Sequence, residues 1–425
     1  MSQYLHNLRT LDLSNSRKLK KIIDFGEFPN LEWLNLEGCI NLVELDRSIL
    51  LLRKLVYLNV KDCKNLVSIP DKRYSKHFNQ QSLNMHGCSK VFNNPKHLKK
   101  FDISSKKKTH DISESASHSR STSSIFERTM LLRDSSFSAP TTHTYLLHSL
   151  RSLYCLRNVD ISFCHLSQVP DAIECLHWLE RLNLRGSNFV TLPSLKKLSK
   201  LVSLNLEHCN LLESLPQLPS PTTIGRDHRE NNDCWITGLV IFNCPKLSDR
   251  ERCSNMTFSW MTQFIKANQH SCPAYFDRFQ IVTPGSEIPS LIDNQSMGDS
   301  IPIDFSPTMH DNINDTIRFV CCAVFSVEPQ DSTMMGWSPA WVRIMGIWNI
   351  NLRIPVIING SLITTKSSHI WTIHLPRESY HEFGIILFDI IGGEGLVMEV
   401  KSCGYRWVCK EDLQEFNLMM NHEVS

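Results

Sequence analysis

One phrase, Leu-x-x-Leu-x-Leu, constrains this chain more than any other feature. It reads Leu8-Leu11-Leu13, Leu31-Leu34-Leu36 and Leu55-Leu58-Val60, weakens to Leu83-Met85, and returns as Leu156-Val159-Ile161, Leu179-Leu182-Leu184 and Leu201-Leu204-Leu206. Successive copies lie 23, 24 and 25 residues apart in the first block and 23 and 22 apart in the second. In a short strand alternate side chains point the same way, so each copy buries a pair of leucines on one side. No single copy can cover its own apolar edge, so neighbouring copies must stack.

A second regularity follows the phrase. Three residues after the last strand leucine stands Cys39, Cys63, Cys88, Cys164 or Cys209. The period and the Cys position are those of the leucine-rich repeat, which places Asn or Cys there. A small side chain fits inside the turn, and its donor reaches backbone carbonyls. These thiols sit on separate coils, so they cannot converge on one metal ion. Each copy closes on an apolar residue and often a proline, as in Ile69-Pro70, Val169-Pro170, Leu192-Pro193 and Leu215-Pro216. Proline cannot continue a strand ladder on the convex side.

The pattern divides the chain. Residues 1–94 carry the first block of repeats. Residues 95–148 lose the periodicity: Lys106-Lys107-Lys108 is followed by a Ser/Thr/His-rich run from Ser113 to Ser124. Such composition buries too little apolar area to offset chain entropy, and reads as a disordered insertion on one face of the solenoid. Residues 149–248 carry the second block, ending in an irregular coil with Leu239, Ile241, Cys244 and Leu247. Residues 249–270 read as a connecting helix, with Met256, Trp260 and Phe264 at i, i+4 and i+8. From 271 to 416 the period changes to two, in Ile301-Ile303-Phe305, Trp371-Ile373-Leu375, Phe383-Ile385-Leu387 and Leu396-Met398-Val400, with turn signals at Pro284-Gly285, Asn359-Gly360 and Gly392-Gly393. Residues 417–425 form a tail. The expected fold is therefore an α/β leucine-rich-repeat solenoid followed by a separate all-β sandwich.

Chemistry-bearing motifs are missing from the sequence. There is no P-loop, no H-E-x-x-H, no C-x-x-C, no G-x-S-x-G and no dinucleotide fingerprint. Cys321-Cys322 lie in an apolar strand run, where adjacent residues face opposite ways and cannot share a metal. His270 and Cys272 have no motif spacing. No catalytic residue, metal ligand or cofactor site is expected, and the chain reads as a binder rather than an enzyme. A formal charge of +2 gives no overall field to attract nucleic acid or a membrane surface. No stretch approaches the roughly 20 apolar residues of a membrane span. Residues 1–6 lack the basic start and apolar core of a secretory signal, so the 15 cysteines are expected to be reduced, in the cytoplasm or nucleus. Sequons at Asn255, Asn294, Asn314 and Asn359 are at the number that chance supplies in an Asn- and Ser-rich chain.

What remains is surface. The outward positions around each strand are Thr10-Asp12-Ser14, Trp33-Asn35-Glu37, Tyr57-Asn59-Lys61, Ser82-Asn84-His86, Asn158-Asp160-Ser162, Arg181-Asn183-Arg185 and Ser203-Asn205-Glu207. Trp33 and Tyr57 fall side by side on adjacent coils, and exposed aromatics flanked by charges are the composition of a binding hot spot. Arg181 and Arg185 make a local basic spot that Glu207 offsets. The candidate protein-binding residues on this face are Trp33, Glu37, Tyr57, Lys61, His86, Arg181, Arg185 and Glu207.

At this point the residues resemble a family. Leu31-Glu32-Trp33-Leu34-Asn35-Leu36-Glu37-Gly38-Cys39 and Leu201-Val202-Ser203-Leu204-Asn205-Leu206-Glu207-His208-Cys209 are similar to the repeats of plant TIR-NBS-LRR disease-resistance receptors of the tobacco mosaic virus resistance protein N-like group. Pro284-Gly285-Ser286-Glu287-Ile288-Pro289 resembles the opening signature of the post-repeat jelly-roll/Ig-like domain of those receptors. Val400-Lys401-Ser402-Cys403-Gly404-Tyr405-Arg406-Trp407-Val408, then Glu411-Asp412-Leu413, resembles its close. The family often has Trp-Phe after Glu-Ile-Pro, where this chain has Ser290-Leu291-Ile292. The resemblance implies recognition of a pathogen effector or guarded host protein through the repeats and the post-repeat domain, with Pro284, Gly285, Glu287, Ile288 and Pro289 as further candidates. It also implies restraint of signalling, with the TIR and nucleotide-binding modules as further partners. Neither module is in this sequence, so the expectation is the C-terminal part of a receptor, or else a truncated adaptor or decoy that binds a host protein.

Overall fold

The computed structural model describes residues 6–22, 24–70, 81–92, 155–169, 171–220, 237–247, 250–267, 279–303, 316–329, 337–338, 341–346, 350–353, 358–359, 363, 365–376, 383–389 and 396–409. The expected 95–148 insertion, the 417–425 tail and Glu411-Asp412-Leu413 lie outside these residues, as do His270, Cys272, Phe305, Asn314 and Gly392-Gly393.

The repeats fold as the leucine phrase dictates. Strands β1 (Thr10–Asp12), β3 (Trp33–Asn35), β5 (Tyr57–Asn59), β6 (Ser82–Asn84), β7 (Asn158–Asp160), β8 (Arg181–Asn183), β9 (Ser203–Asn205) and β10 (Thr237–Val240) stack in parallel, each against the next. The register puts leucine on leucine: Leu11 opposite Leu34, Leu34 opposite Leu58, Leu58 opposite Leu83. β6 pairs directly with β7, Leu83 opposite Val159, so the long sequence gap between them does not interrupt the stack.

Each ladder thiol donates to a carbonyl of the coil before it. Cys39 reaches Leu13 O at 3.1 Å, Cys63 reaches Leu36 O at 3.1 Å, Cys88 reaches Val60 O at 3.0 Å, Cys164 reaches Met85 O at 3.1 Å and Cys244 reaches Leu206 O at 3.1 Å. The residue just before each of these thiols turns left-handed: Gly38, Asp62, Gly87, Phe163 and Asn243, and likewise His208 before Cys209, all have positive φ. That turn swings the chain from the strand onto the flank of the coil.

On the convex side the coils are built from 3-10 turns at Phe25–Glu27, Arg47–Leu51 and Asp171–Cys175. A two-residue ladder between β2 (Lys21–Ile22) and β4 (Glu44–Leu45) joins them there. Among the described residues, the α component of the repeats is one short helix, α1 (Ser89–Phe92). Coils this tight leave room for a single 3-10 turn rather than for several turns of α-helix.

Leu34 and Leu204 are both at 0% exposure, inside one continuous core. Leu34→Ala or Leu204→Ala is expected to lower unfolding stability by about 2–5 kcal/mol, through lost transfer energy plus the cavity left behind. Denaturant unfolding measures this, and an unchanged midpoint would refute the repeat register.

The end of the solenoid differs from the expectation of a separate sandwich. β10 pairs in parallel with β9 on one side and with β11 (Phe279–Pro284) on the other. Between β10 and β11 runs α2 (Arg250–Ala267), with Trp260 and Phe264 against Phe279, ring centroids 5.5 and 4.3 Å away. β11 then pairs antiparallel with β19 (Ser367–Pro376). β19 pairs with β14 (Thr316–Pro329), β14 with β21 (Leu396–Cys409), and β21 with β12 (Asn294–Met297). The repeat sheet and the C-terminal strands are therefore one 13-stranded sheet that changes from parallel to antiparallel at β11. A second sheet has four strands, β13 (Ser300–Pro302), β20 (Phe383–Leu387), β16 (Trp341–Gly346) and β17 (Ile350–Arg353).

β14 shows how the C-terminal half is layered. Val320, Cys322 and Val324 belong to the core that runs on from the repeats and α2. Phe319, Cys321, Ala323, Phe325 and Val327 belong to a second core with Ile301, Ile303, Ile386 and Phe388 beside the four-stranded sheet. Cys321 and Cys322 thus face opposite layers, as strand alternation requires. A strand covered on both faces reads as a continuous apolar run, which is what Phe319 to Val327 shows.

Candidate protein-binding face

Three rows of side chains run across the repeat sheet on its outward face. The middle row is a structural ladder whose function the sequence reading did not foresee. Asn35, Asn59, Asn84, Asp160, Asn183 and Asn205 each accept, through Oδ1, the backbone N–H two residues on, at 2.8–3.2 Å. Neighbouring rungs also join sideways: Asn35 Nδ2 donates to Asp12 Oδ2 at 3.1 Å, Asn59 Nδ2 to Asn35 Oδ1 at 3.0 Å and Asn183 Nδ2 to Asp160 Oδ2 at 3.1 Å. Amide groups supply donor and acceptor on one side chain, so they can link coils in both directions. The signal was present in the recurring Leu-Asn-Leu, one residue type at one position of each coil.

The first row carries the aromatic pair. Trp33 and Tyr57 lie opposite each other in the register and meet edge to face, with centroids 5.2 Å apart and planes at 66°. Trp33 remains 42% exposed. Further along the same row Arg181 donates from Nη1 to Asn158 Oδ1 at 3.2 Å.

The third row carries charge. Lys61 Nζ and Glu37 Oε1 pair at 2.9 Å, and that bond raises the Lys61 pKa above its ordinary value. His86 Nδ1 lies 2.7 Å from Ser162 Oγ, whose hydroxyl donates to Asp160 Oδ1 at 2.5 Å. Burial of the ring lowers the His86 pKa, against the opposing pull of Asp160 and Asp62. Phe163 stands edge-on to His86 at 5.4 Å.

Two expected surface residues are not on the surface. Arg185 Nε and Glu207 Oε2 pair at 2.8 Å with side chains 6% and 1% exposed. The guanidinium also lies over the Phe163 ring, 5.0 Å from its centroid. Burial lowers the Arg185 pKa, and Glu207 opposes the shift. The face closes here because the next coil presents Val240 and Phe242, instead of polar residues, into the second core. The open part of the face therefore holds Trp33, Glu37, Tyr57, Lys61, His86 and Arg181, while Arg185 and Glu207 lie inside.

The Pro284–Pro289 segment lies elsewhere in the sheet order, after β11. Pro284 sits opposite His369 of β19, and Gly285 N–H donates to Ser368 O at 3.1 Å. A Cβ on Gly285 would stand 2.5 Å from Ile370 Cδ1, so a close approach of chain to side chain is built in. Ile288 packs against the larger core, Pro289 O accepts from Ile292 N–H at 3.0 Å, and Glu287 is exposed. Arg406 of β21 donates from Nη1 to Leu291 O at 2.9 Å, fastening this segment to the closing motif.

Burial pushes the ladder thiols up, Cys63 and Cys209 to about 12, and Cys403 in β21 to about 11. Protonated thiols donate to carbonyls and do not act as nucleophiles. Among the described residues no group of three or more His, Cys, Asp and Glu could hold a metal ion, and no helix is long and apolar enough to cross a membrane.

The coil stack, the thiol rungs and the asparagine ladder together define a leucine-rich-repeat protein. By sequence the chain is similar to plant disease-resistance proteins. It is 26% identical to disease resistance protein RML1B of Arabidopsis thaliana over 97% of this chain and 35% of that protein. It is 29% identical to disease resistance protein RPS6 of Arabidopsis thaliana over 70% of this chain and 30% of that protein. With TMV resistance protein N of Nicotiana glutinosa it shares 25% identity over 51% of this chain and 25% of that protein. The chain thus spans 35% of the length of one of these relatives and less of the other two. No family model matches the chain. A solved leucine-rich-repeat protein of Leptospira interrogans aligns with 58% of this chain and 72% of its own, at 15% identity and a TM-score of 0.24.

Proposed function

We propose that this chain is the recognition module of a plant intracellular immune receptor. In this reading the open repeat face binds a pathogen effector or a guarded host protein, and the Pro284–Pro289 side of the C-terminal strands contributes to binding and to restraint of signalling. The single observation that carries the binding part is the Trp33–Tyr57 pair, an exposed aromatic step beside a charged row on an otherwise polar ladder. The similarity to disease-resistance proteins supports the immune context. The module works by surface complementarity and needs no cofactor. It acts in the cytoplasm or nucleus, as the family resemblance implies.

The same reading divides the chain into repeats at 1–94 and 149–248, an insertion at 95–148, a helix at 249–270 and a jelly-roll/Ig-like β-sandwich at 271–416. The shared second core between the two sheets supports the sandwich, with part of the long sheet as one layer. The TIR and nucleotide-binding modules would be its partners in signalling.

Large, rigid aromatic anchors dominate binding energies, each being worth about 2 kcal/mol or more. For a partner whose affinity for the wild-type chain has been measured, Trp33→Ala with Tyr57→Ala is expected to weaken binding by at least about 30-fold. The unfolding midpoint should stay within experimental error, because Trp33 projects into solvent. Unchanged affinity would remove this face from recognition.

A further inference from the structure

The exposed indole of Trp33 has carboxylates for neighbours. Asp12, the first-coil member of the middle row, lies on its diagonal: β1 and β3 set Thr10 opposite Trp33 and Asp12 opposite Asn35. Strand spacing puts the Trp33 and Asp12 Cα atoms about 8 Å apart on one face. Glu32 directly precedes Trp33, and Glu37 follows in the third row of the same coil. Each carboxylate is held in place. Asp12 Oδ1 accepts the Ser14 N–H at 2.8 Å, and its Oδ2 accepts from Asn35 Nδ2 at 3.1 Å. Glu37 Oε2 accepts from Asn59 Nδ2 at 3.2 Å while Oε1 faces Lys61 Nζ at 2.9 Å. Glu32 Oε1 lies 3.4 Å from Arg9 Nη1.

The charge of this half of the face is acidic. Asp12, Glu32 and Glu37 stand against Arg9 and Lys61, and both cations bridge a glutamate. Asp62 adds to the balance from the turn beside Lys61, raising the Lys61 pKa as Glu37 does. Asp12 is exposed, and the Ser14 backbone N–H above all holds its carboxyl below the usual carboxylate range. The Ser14 N–H and the Asn35 amide are neutral donors, so they fix this carboxylate without cancelling its charge. Trp33 supplies the complement. The face of an indole attracts a cation that comes within about 6 Å of its centroid. Contact with Tyr57 at a centroid distance of 5.2 Å steadies the ring, so less side-chain freedom is lost on binding.

We propose that the segment this face takes is basic: a cationic side chain of a protein partner lies against Trp33 and pairs with Asp12. This rests on the reading of the open repeat face as the binding face. Arginine and lysine carry a long stem that lies on an aromatic surface while the charged head reaches past it. A carboxylate offers about four lone-pair sites, of which Ser14 and Asn35 occupy only some. An acidic segment would meet Asp12 and Glu32 with like charge. An apolar one would take water from the Asp12 carboxylate and give no charge or donor in return.

Selection of short random peptides on the full chain, with each binder re-measured on Trp33→Ala, tests this. Binders that need Trp33 are expected, and they should carry arginine or lysine well above its share in the starting pool. Binders that need Trp33 without that excess, or with an excess of acidic residues, would overturn the basic-segment proposal and leave the binding face standing. If no selected peptide needs Trp33, both fall. Asp12→Asn keeps an acceptor for the Ser14 N–H and removes the charge; it should weaken a Trp33-dependent peptide about fivefold. Exchanging that peptide's basic residue for glutamine should cost the same, and the two losses should not multiply when combined. Losses that multiply in full would overturn the pairing with Asp12, and the change on the peptide serves even if Asp12→Asn folds poorly, since an unaltered affinity there would overturn it too.

Discussion

Gly238→Ala is expected to break the join between the solenoid and the C-terminal strands, at a loss of at least about 4–5 kcal/mol, the exceptional end of single-substitution effects. Gly238 sits in β10 between Ser203 of β9 and Gln280 of β11. It takes a φ of +134°, and a Cβ there would stand 1.7 Å from the Gln280 carbonyl oxygen. Neither atom can yield cheaply, since both belong to paired backbone. The N–H of Gly238 is also committed, to Val202 O at 2.8 Å. The corresponding position in earlier coils carries Trp33, Tyr57, Ser82, Asn158, Arg181 or Ser203, because there the next strand leaves room for a side chain. Unfolding followed by tryptophan fluorescence would show the C-terminal half, which contains Trp371, melting ahead of the early coils. A wild-type transition in this variant would mean that β10 and β11 do not pair.

The second large effect concerns the buried ion pair. Removing one member, by Glu207→Ala or Arg185→Ala, is expected to cost about 3–5 kcal/mol, because it takes the opposite charge away from a desolvated one. Replacing both, as Arg185→Met with Glu207→Leu, should return most of that loss, since a hydrophobic pair of similar volume carries no desolvation penalty. A double-mutant cycle by denaturant unfolding measures the difference. If each single variant stayed within about 0.5 kcal/mol of wild type, as exposed pairs do, the face would be open at this coil. The same cycle bears on function, because a closed face at β8 and β9 leaves the binding surface to the coils around Trp33, Tyr57 and His86.

The repeats were legible because their information is local and periodic. Leucine at fixed spacing, cysteine three residues after the strand and proline at the close each act within one coil or on the next. A reader of the sequence can therefore place Leu34, Cys63 and Leu204 inside with no coordinates. Strand alternation assigned Cys321 and Cys322 to opposite layers by the same reasoning, and helical spacing put Trp260 and Phe264 on one face. The asparagine row was visible as a pattern, but its role was not, because outward position alone does not separate a ladder from a binding surface.

What the sequence by itself determined is the coil: its register, its buried leucines, its thiol rungs and its outward rows. Only the tertiary structure decided where that outward face stops. Arg185 and Glu207 read as surface residues because their own coils are polar on that side, yet they lie buried where the following coil turns apolar with Val240 and Phe242. His369 lies 126 residues from the Asn243 amide it accepts, and Gly238 is required by the carbonyl of a strand that follows a whole intervening helix. Stacking coils repeat a nearest-neighbour interaction, so pattern suffices to place them. Closing the stack with a change from parallel to antiparallel pairing is a single long-range event, and no periodicity records it.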